Sequence, residues 1–535
     1  MASLFSWLNG PIAPKHIPTD TIIPLHSRDD TFQNRSISVE FTMRFDSALD
    51  AQKLANALWK LLDRPGWRKL GARLRLNADD KLEYHIPAQY TALRPPMNYT
   101  HVKHNMRMSE HKIGAQIPVA KDTSELQVFD VMTSLRGLTQ TRNSTAVLAD
   151  WIYTDKAQLG LHVVSFEDAT LVTITWLHTL LDAMGRQALL RAWQAVLEAR
   201  DDAVPEFWGY DFDPLEKLGS VQNNDASSSV SLDDKRKSPQ PKKYISAPSN
   251  FSSIKAFFNR LFNFTIRFLD LRSLIYTPPT LYGGRILCMP ASYLTRLRTD
   301  ALRDLSSLDP TQVIYNNSDP QDPKPFLSDG DILSAWLTRL MISSSPALLS
   351  SPNRPMVLIN VLGMRDVLST ASGGYSALIP RGKAYIGNCT TGIVSAFSMH
   401  QFLNLPFGHA AAKLRKDLVA QSSRKAVEAS QRAQEQTQDI TRSKEQNEVT
   451  PAVFVFTNWA KARLFETDFS AAIIGGGEGR GRPSYIHVYG TDVRGMTGSG
   501  IGNCIGKDGK GNYWIGVILP REDVEAFDKA VSGLQ

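Results

Sequence analysis

The sequence predicts an α/β protein built from two large domains, and three observations carry that expectation. Its 535 residues exceed what a single hydrophobic core usually supports. Strand-like and helix-like hydrophobic periods alternate in both halves of the chain. A polar stretch near the middle separates the halves. In the first half, SISVEFTMRFD (36–46) alternates as a half-buried strand does, and DAQKLANALWKLLDR follows with Leu54, Leu58, Leu61 and Leu62 at helical spacing. LHVVSF, EDAT and LVTITWLH read as a hairpin, two β-branched apolar runs around a short polar turn, and a helix is expected over 183–200. Between 216 and 249 the composition turns to Ser, Asn, Asp, Lys and Pro, a linker that cannot form a core.

After the linker, residues 251–276 mix apolar side chains with Lys255, Arg260, Arg267 and Arg272. They read either as a helix packed across the domain junction or as an amphipathic helix on a membrane surface. The second half opens with strand then helix in GGRILCMPASYLTRLRTDALRDL, continues with LSDGDILSAWLTRLM, where Ser328 or Asp329 caps a helix, and reaches the strand PMVLINVLGMR. Residues 411–447 have helix-forming composition but weak apolar periodicity after Val427, so an exposed helix is expected. PAVFVFTNW and NYWIGVILP are strand-like, with glycine-rich loops between them.

With 42% hydrophobic and 21% charged residues the chain is globular. Its net charge of +7 is a solubility feature or a mild preference for anionic ligands. Cys288, Cys389 and Cys504 are far apart and lack CxxC spacing, which points away from disulfides and metal sites and toward a reducing, cytoplasmic setting. No bilayer-length apolar run and no secretion signal are apparent. GGGEGRGR (Gly475–Arg482) and GMTGSGIGN (Gly495–Asn503) lack dinucleotide-fingerprint spacing and read as loops; GxxxxGK[ST], HExxH and GxSxG are absent. Basic residues are not interleaved with an aromatic platform, so nucleic acid is not an expected partner.

The chemistry concentrates in TITWLHTLLDAMG. Val172, Ile174, Trp176 and His178 share one strand face, which places the imidazole at the rim of an apolar surface. Desolvation there keeps it neutral and able to accept a proton, although a histidine merely satisfied in the core fits the same pattern. Asp182 is either a simple N-cap for the following helix or an arginine-paired carboxylate that fixes the turn aiming His178. Gly185 lets a ligand or backbone approach closely.

HTLLDAMG resembles the HxxxD(G) motif of the CoA-dependent acyltransferases, the superfamily of plant BAHD enzymes and fungal trichothecene-acetyltransferase-like enzymes. FTNWAKARLFETDFSAA resembles its second signature, W…DFGWG: Asp468 and Phe469 match, while Ser470, Ala471 and Ala472 replace Gly-Trp-Gly. IPLHSRDDTFQNRSISVEFTMRF, GWRKLGARLRLNADDKLEYHIP, SDGDILSAWLTR, VLGMRDVL and YIGNCTTGI extend the similarity over most of the chain.

The resemblance implies two chloramphenicol-acetyltransferase-like domains, each a mixed sheet flanked by helices, with the active-site tunnel between them. They are placed at 1–215 and 276–535, with a linker and crossover at 216–275. It implies O-acetyl transfer from acetyl-CoA to a hydroxyl of a secondary metabolite, a terpenoid, polyketide or alkaloid, by a monomer without a metal; membrane contact is not expected, since 251–276 reads first as a packed helix. His178 is then the general base, and Thr457 and Trp459 border the oxyanion. Asp182 and Asp468 become structural carboxylates, expected to pair with Arg285 and Arg365 respectively.

Two rivals remain: a condensation-type or N-acyl transferase with a carrier-protein donor, though Leu177 stands where condensation domains carry a second histidine, and a non-catalytic CoA-binding member of the family. No Cys/His arrangement suggests a covalent acyl-enzyme.

Overall fold

The computed structural model describes residues 11–220, 282–316, 319, 321–438, 451–476, 481–490 and 500–534. Most of the 216–249 linker and all of the 251–276 segment lie outside these residues. Among the described residues no helix is long and apolar enough to cross a membrane.

Two mixed sheets organise the fold. The first runs in the order Tyr485–Gly490, Ser38–Phe45, Thr170–Leu177, Gly160–Ser165, Asn98–Lys103. The predicted hairpin is its centre: strand Thr170–Leu177 pairs antiparallel with Gly160–Ser165 on one side and Ser38–Phe45 on the other. Buried on both faces, it is built from the β-branched and apolar residues such a position favours. The buried hydroxyls of Thr42 and Thr173 satisfy each other across the pair at 2.9 Å.

On this sheet lie helices Ala51–Leu62 and Ala183–Leu197. Asp50 caps the first by accepting the Lys53 N–H at 2.9 Å, and Leu54, Leu58, Leu61 and Leu62 form its buried stripe, as their spacing predicts. The Trp193 indole N–H ties the second to it through the Leu54 carbonyl at 3.0 Å.

The second sheet has the order Thr390–Ser398, Pro355–Gly363, Ala452–Asn458, Gly500–Lys507, Tyr513–Pro520, Tyr282–Met289, Gln127–Asp130. Its two parallel pairings join Ala452–Asn458 to Pro355–Gly363 and to Gly500–Lys507. The sheets exchange edge strands, Gln127–Asp130 from the first half and Tyr485–Gly490 from the second. Sequence periodicity marks a strand but not the sheet that receives it.

Ser328, with Asp331, forms a capping box at the start of helix Asp329–Ser343. This helix packs so tightly on the sheet that a Cβ on Gly500 or Gly502 would lie 2.6 Å from Met341 Sδ or 2.3 Å from Leu337 Cδ2. Gly500–Asn503, read from sequence as loop, is therefore strand; its glycines give the helix room. The exposed helix expected over 411–447, of which 439–447 lie outside the described residues, is among the described residues two, Phe407–Gln421 and Arg424–Gln438, parted at Ser422–Ser423. The first is largely covered because its interface is made of small residues, Gly408 and Ala410–Ala412, which carry little hydrophobic signal. A Cβ on Gly408 would lie 2.0 Å from the Ala301 carbonyl oxygen.

Candidate active site

Between the sheets lies a cavity of about 1710 Å³ walled by both halves of the chain: Ile37, Val39 and Trp176 on one side, Val361, Thr457 and Ile501 on the other. A single small-molecule pocket is usually about 300–1,000 Å³, so this one has room for two substrates.

His178 reaches the cavity from the turn that ends strand Thr170–Leu177. Several of the turn's backbone groups are held. The His178 N–H donates to the Ile37 carbonyl at 2.8 Å and the Leu180 N–H to the Leu177 carbonyl at 2.9 Å. The Tyr84 hydroxyl donates to the Thr179 carbonyl and the Trp176 indole to the Leu181 carbonyl, both at 3.1 Å. Asn388 Nδ2 donates to the His178 carbonyl at 2.9 Å. Nδ1 of His178 is sealed from solvent without a hydrogen-bond partner, which leaves Nε2 as the nitrogen open to the cavity. Burial holds the imidazole below its ordinary pKa, partly opposed by the Asp182 carboxylate, while the Arg186 cation lowers it further. A neutral imidazole at a cavity wall is a competent proton acceptor.

Asp182 does both things its position allowed. Its Oδ1 caps helix Ala183–Leu197, accepting the N–H groups of Met184 at 3.1 Å and Gly185 at 2.8 Å. Its two oxygens also accept a bidentate pair from Arg365, at 2.8 and 2.9 Å, and Oδ2 takes the Cys389 N–H at 3.0 Å. Burial alone would raise this carboxyl; Arg365 and the N–H donors hold it below its usual range.

The arginine pairings expected from sequence are thus corrected. Arg365, which opens the short helix Arg365–Leu368 just after strand Pro355–Gly363, reaches across the chain to Asp182. Arg285 lies in strand Tyr282–Met289 and pairs with Asp528 at 2.7 Å and Asp130 at 2.8 Å. Asp468 pairs with Arg482, 3.2 Å away and only fourteen residues on in sequence. Gly185 serves backbone packing: a Cβ there would lie 2.0 Å from the Ile386 carbonyl oxygen, so the helix and the YIGNC segment meet directly.

Thr457 and Trp459 follow one another along the cavity wall at the end of strand Ala452–Asn458. The Trp459 N–H is fixed on the Cys504 carbonyl at 2.8 Å, and its indole stacks on Arg186, whose guanidinium carbon lies 4.7 Å from the ring centre. Phe469 is fully buried in the first core, against Phe45 at 5.5 Å and Trp193 at 4.7 Å between ring centres. The Ser470-Ala471-Ala472 replacement forms a turn docked on the first helix: the Asp50 N–H donates to the Ala472 carbonyl at 2.7 Å, and Lys53 Nζ donates to Ala471 at 2.5 Å. Burial pushes the Cys389 thiol up to about 12, which disfavours a thiolate nucleophile.

Sequence reasoning gave no role to Asn388 or Asp29. Asn388 bridges the His178 carbonyl to buried Asp29, whose Oδ1 accepts both the Asn388 N–H at 2.7 Å and Nδ2 at 2.8 Å. Burial raises the Asp29 carboxyl and lowers nearby Lys69, whose ammonium sits on the Gly209 carbonyl at 2.9 Å and His26 Nε2 at 3.0 Å. The signal was the YIGNC segment itself, noted as a resemblance but assigned no chemistry.

No family model matches the chain. Among curated relatives it is similar to "Transcriptional regulator calD" of Penicillium decumbens, 34% identical with 94% of each chain covered. It is also similar to "Acetyltransferase adrJ" of Penicillium rubens, 31% identical with 95% of each covered. Among solved structures it superposes on trichothecene acetyltransferase TRI101 of F. sporotrichioides, solved with coenzyme A and T-2, at TM-score 0.57 and 15% identity, covering 94% of this chain and 96% of that one. Vinorine synthase gives 0.56 at 12% identity, with 96% and 94% covered. A two-sheet fold around a cavity, shared with TRI101 and vinorine synthase, and 31% identity to named acetyltransferases over nearly the whole length lead to one assignment: the chain belongs to the family of these fungal acetyltransferases.

Proposed function

We propose that the chain transfers an acetyl group from acetyl-CoA to a hydroxyl of a lipophilic secondary metabolite, a terpenoid, polyketide or alkaloid. The observation that carries this reading is a half-buried, uncharged histidine facing a mainly apolar two-substrate cavity, on a turn locked by the Asp182–Arg365 pair. His178 Nε2 takes the acceptor proton as its oxygen attacks the thioester carbonyl, and then returns the proton to the departing CoA thiolate. Thr457 and Trp459 border the carbonyl oxygen as charge develops on it. The thioester is already activated, so transfer is direct, and the mainly apolar cavity walls disfavour hydrolysis. Domains at 1–215 and 276–535 joined by 216–275, a monomeric state and a cytoplasmic location belong to the same reading.

A second reading has one observation in its favour: a relative covering 94% of this chain is named a transcriptional regulator. In that case the fold would bind a CoA ester or metabolite without turnover. Retention of His178, of the bidentate Asp182–Arg365 pair and of an open cavity favours catalysis, since a pure binding protein needs no such base.

The test is thiol-detected CoA release from acetyl-CoA with a panel of hydroxylated terpenoids and polyketides, for wild type and His178→Ala. Turnover lost by about 10²-fold or more in the folded alanine variant supports the reading. Acetyl-CoA binding without release by wild type on any acceptor moves the regulatory reading ahead. Equal rates in both proteins would remove His178 from the mechanism.

A further inference from the structure

Arg186 stands in this cavity with its chemistry unused. It lies one turn after Asp182 on helix Ala183–Leu197, lines the cavity, and is only 2% exposed. Its Nε and Nη2 are buried without a hydrogen-bond partner, and of the three guanidinium nitrogens Nη1 alone is not sealed in this way. Asp182, the carboxylate that acts on it, is already saturated by both Arg365 nitrogens and the N–H groups of Met184, Gly185 and Cys389.

What surrounds the guanidinium instead is aromatic. Its carbon lies 4.3 Å from the Phe41 ring centre, 4.7 Å from Trp459 and 6.0 Å from Trp176. Such faces stabilise a cation only partly. Burial pulls the group down to about 9, opposed by Asp182 alone. A leucine or methionine would fill the same aromatic slot without burying a charge, so packing does not explain the residue.

A cation unpaired in the resting protein and set beside the reacting groups gains a partner only if negative charge appears there. Acyl transfer produces such a charge. We propose that Arg186 is a further catalytic residue that holds the oxyanion of the tetrahedral intermediate through Nη1. The proposal rests on the acyl-transfer reading above. As the acceptor oxygen bonds to the thioester carbon, its proton passes to His178 Nε2 and the carbonyl π pair moves onto oxygen, where the guanidinium meets it. On collapse the pair re-forms the carbonyl, the C–S bond breaks, and the thiolate leaves with the proton from His178. Because Arg186 stacks on Trp459, an oxyanion bordered by Trp459 lies beside the guanidinium. The interaction is stronger in the transition state than in the ground state, the condition for accelerating the chemical step. Burial holds His178 below its ordinary pKa, and the same cation lowers it a little further.

The experiment measures kcat and KM for wild type, Arg186→Met and Arg186→Lys, with acetyl-CoA and malonyl-CoA as donors and the panel alcohol that wild type turns over. Melting curves are recorded for each protein. Arg186→Met is expected to lower kcat by roughly 10²–10³-fold, to leave KM for acetyl-CoA within about threefold, to shift the acidic limb of the kcat/KM profile to higher pH, and to melt no lower than wild type. Arg186→Lys recovers part of kcat; should the methionine variant fail to fold, the lysine variant carries the same test, a lower kcat at unchanged KM.

An unchanged kcat, or a loss confined to KM, overturns the proposal. So does a loss seen with malonyl-CoA alone, which would make Arg186 a site for a donor carboxylate. An inert wild type overturns the acyl-transfer reading and this proposal together, whereas an active wild type matched by Arg186→Met overturns this proposal alone.

Discussion

Replacing Arg365 by alanine removes the counter-charge of a carboxylate whose side chain is 4% exposed. Breaking a buried ion pair from one side typically costs about 3–5 kcal/mol, because the remaining charge is left uncompensated. Three N–H groups, of Met184, Gly185 and Cys389, still reach Asp182 and moderate that cost. Against this, the Tyr385 and Gly387 carbonyls lose their Arg365 donors, at 3.0 and 2.7 Å, each worth about 1 kcal/mol. The expected destabilisation is about 4 kcal/mol.

Asp182→Asn keeps the helix cap but removes the charge, so in the double variant the arginine is lost at less cost, and a coupling of about 2 kcal/mol is expected. Arg285→Ala, whose partner Asp130 is largely exposed, should cost under about 1 kcal/mol. Urea unfolding followed by tryptophan fluorescence at pH 7 measures all of these. The sign with pH also follows: Asp182 is depressed in the folded state, so the pair stabilises above the ordinary carboxylate range and its contribution is lost as pH falls through the folded value. Additive single and double variants, or Arg365→Ala no worse than Arg285→Ala, would refute the clamp.

Asn388→Ala frees the His178 carbonyl and should lower kcat about tenfold at unchanged KM, equivalent to about 1.4 kcal/mol of positioning in steady-state assays. His487 is buried and held at about 4, so the unfolded chain binds its proton first as pH drops below about 6.5. Wild type should therefore lose about 2 kcal/mol on this account by pH 5, and His487→Gln should flatten that slope in denaturation series. Phe469→Ala should cost about 3–5 kcal/mol through the cavity it leaves, whereas Asp468→Asn, with a largely exposed arginine partner, should cost under about 1 kcal/mol in the same unfolding assay.

What could be read from sequence was local. His178 and Asp182 sit on one turn between a strand and a helix whose periods are unmistakable, so their neighbourhood follows from spacing alone. Arg365 joins them from 183 residues away, and GGRIL offers an equally plausible arginine; only the packing of strand ends decides between them. The edge-strand exchange was hidden for the same reason, since alternation identifies a strand and says nothing of its sheet. Helix Phe407–Gln421 looked exposed because alanines and a glycine make its contacts. Close approach of backbones leaves a composition signal where large side chains would leave a periodic one.

Arg186 was passed over although it directly follows the most closely read stretch, and the comparison with Arg365 explains why that matters. Arg186 is buried and Arg365 half-buried, and both interact with Asp182. Arg365 also lines the cavity, but its donors are committed: two bonds to the carboxylate and two to carbonyls fix it. That commitment is what leaves Arg186 uncompensated, because a carboxylate with five donors cannot serve a second cation. A single salt bridge therefore does two jobs at once. It rigidifies the turn that aims His178, and it prevents Asp182 from neutralising Arg186, a neighbouring guanidinium with no hydrogen-bond partner on Nε or Nη2. Loosening the clamp should then let Asp182 turn toward Arg186, so that Arg365→Lys, which keeps the charge but not the fork, lowers kcat even where it leaves stability largely intact.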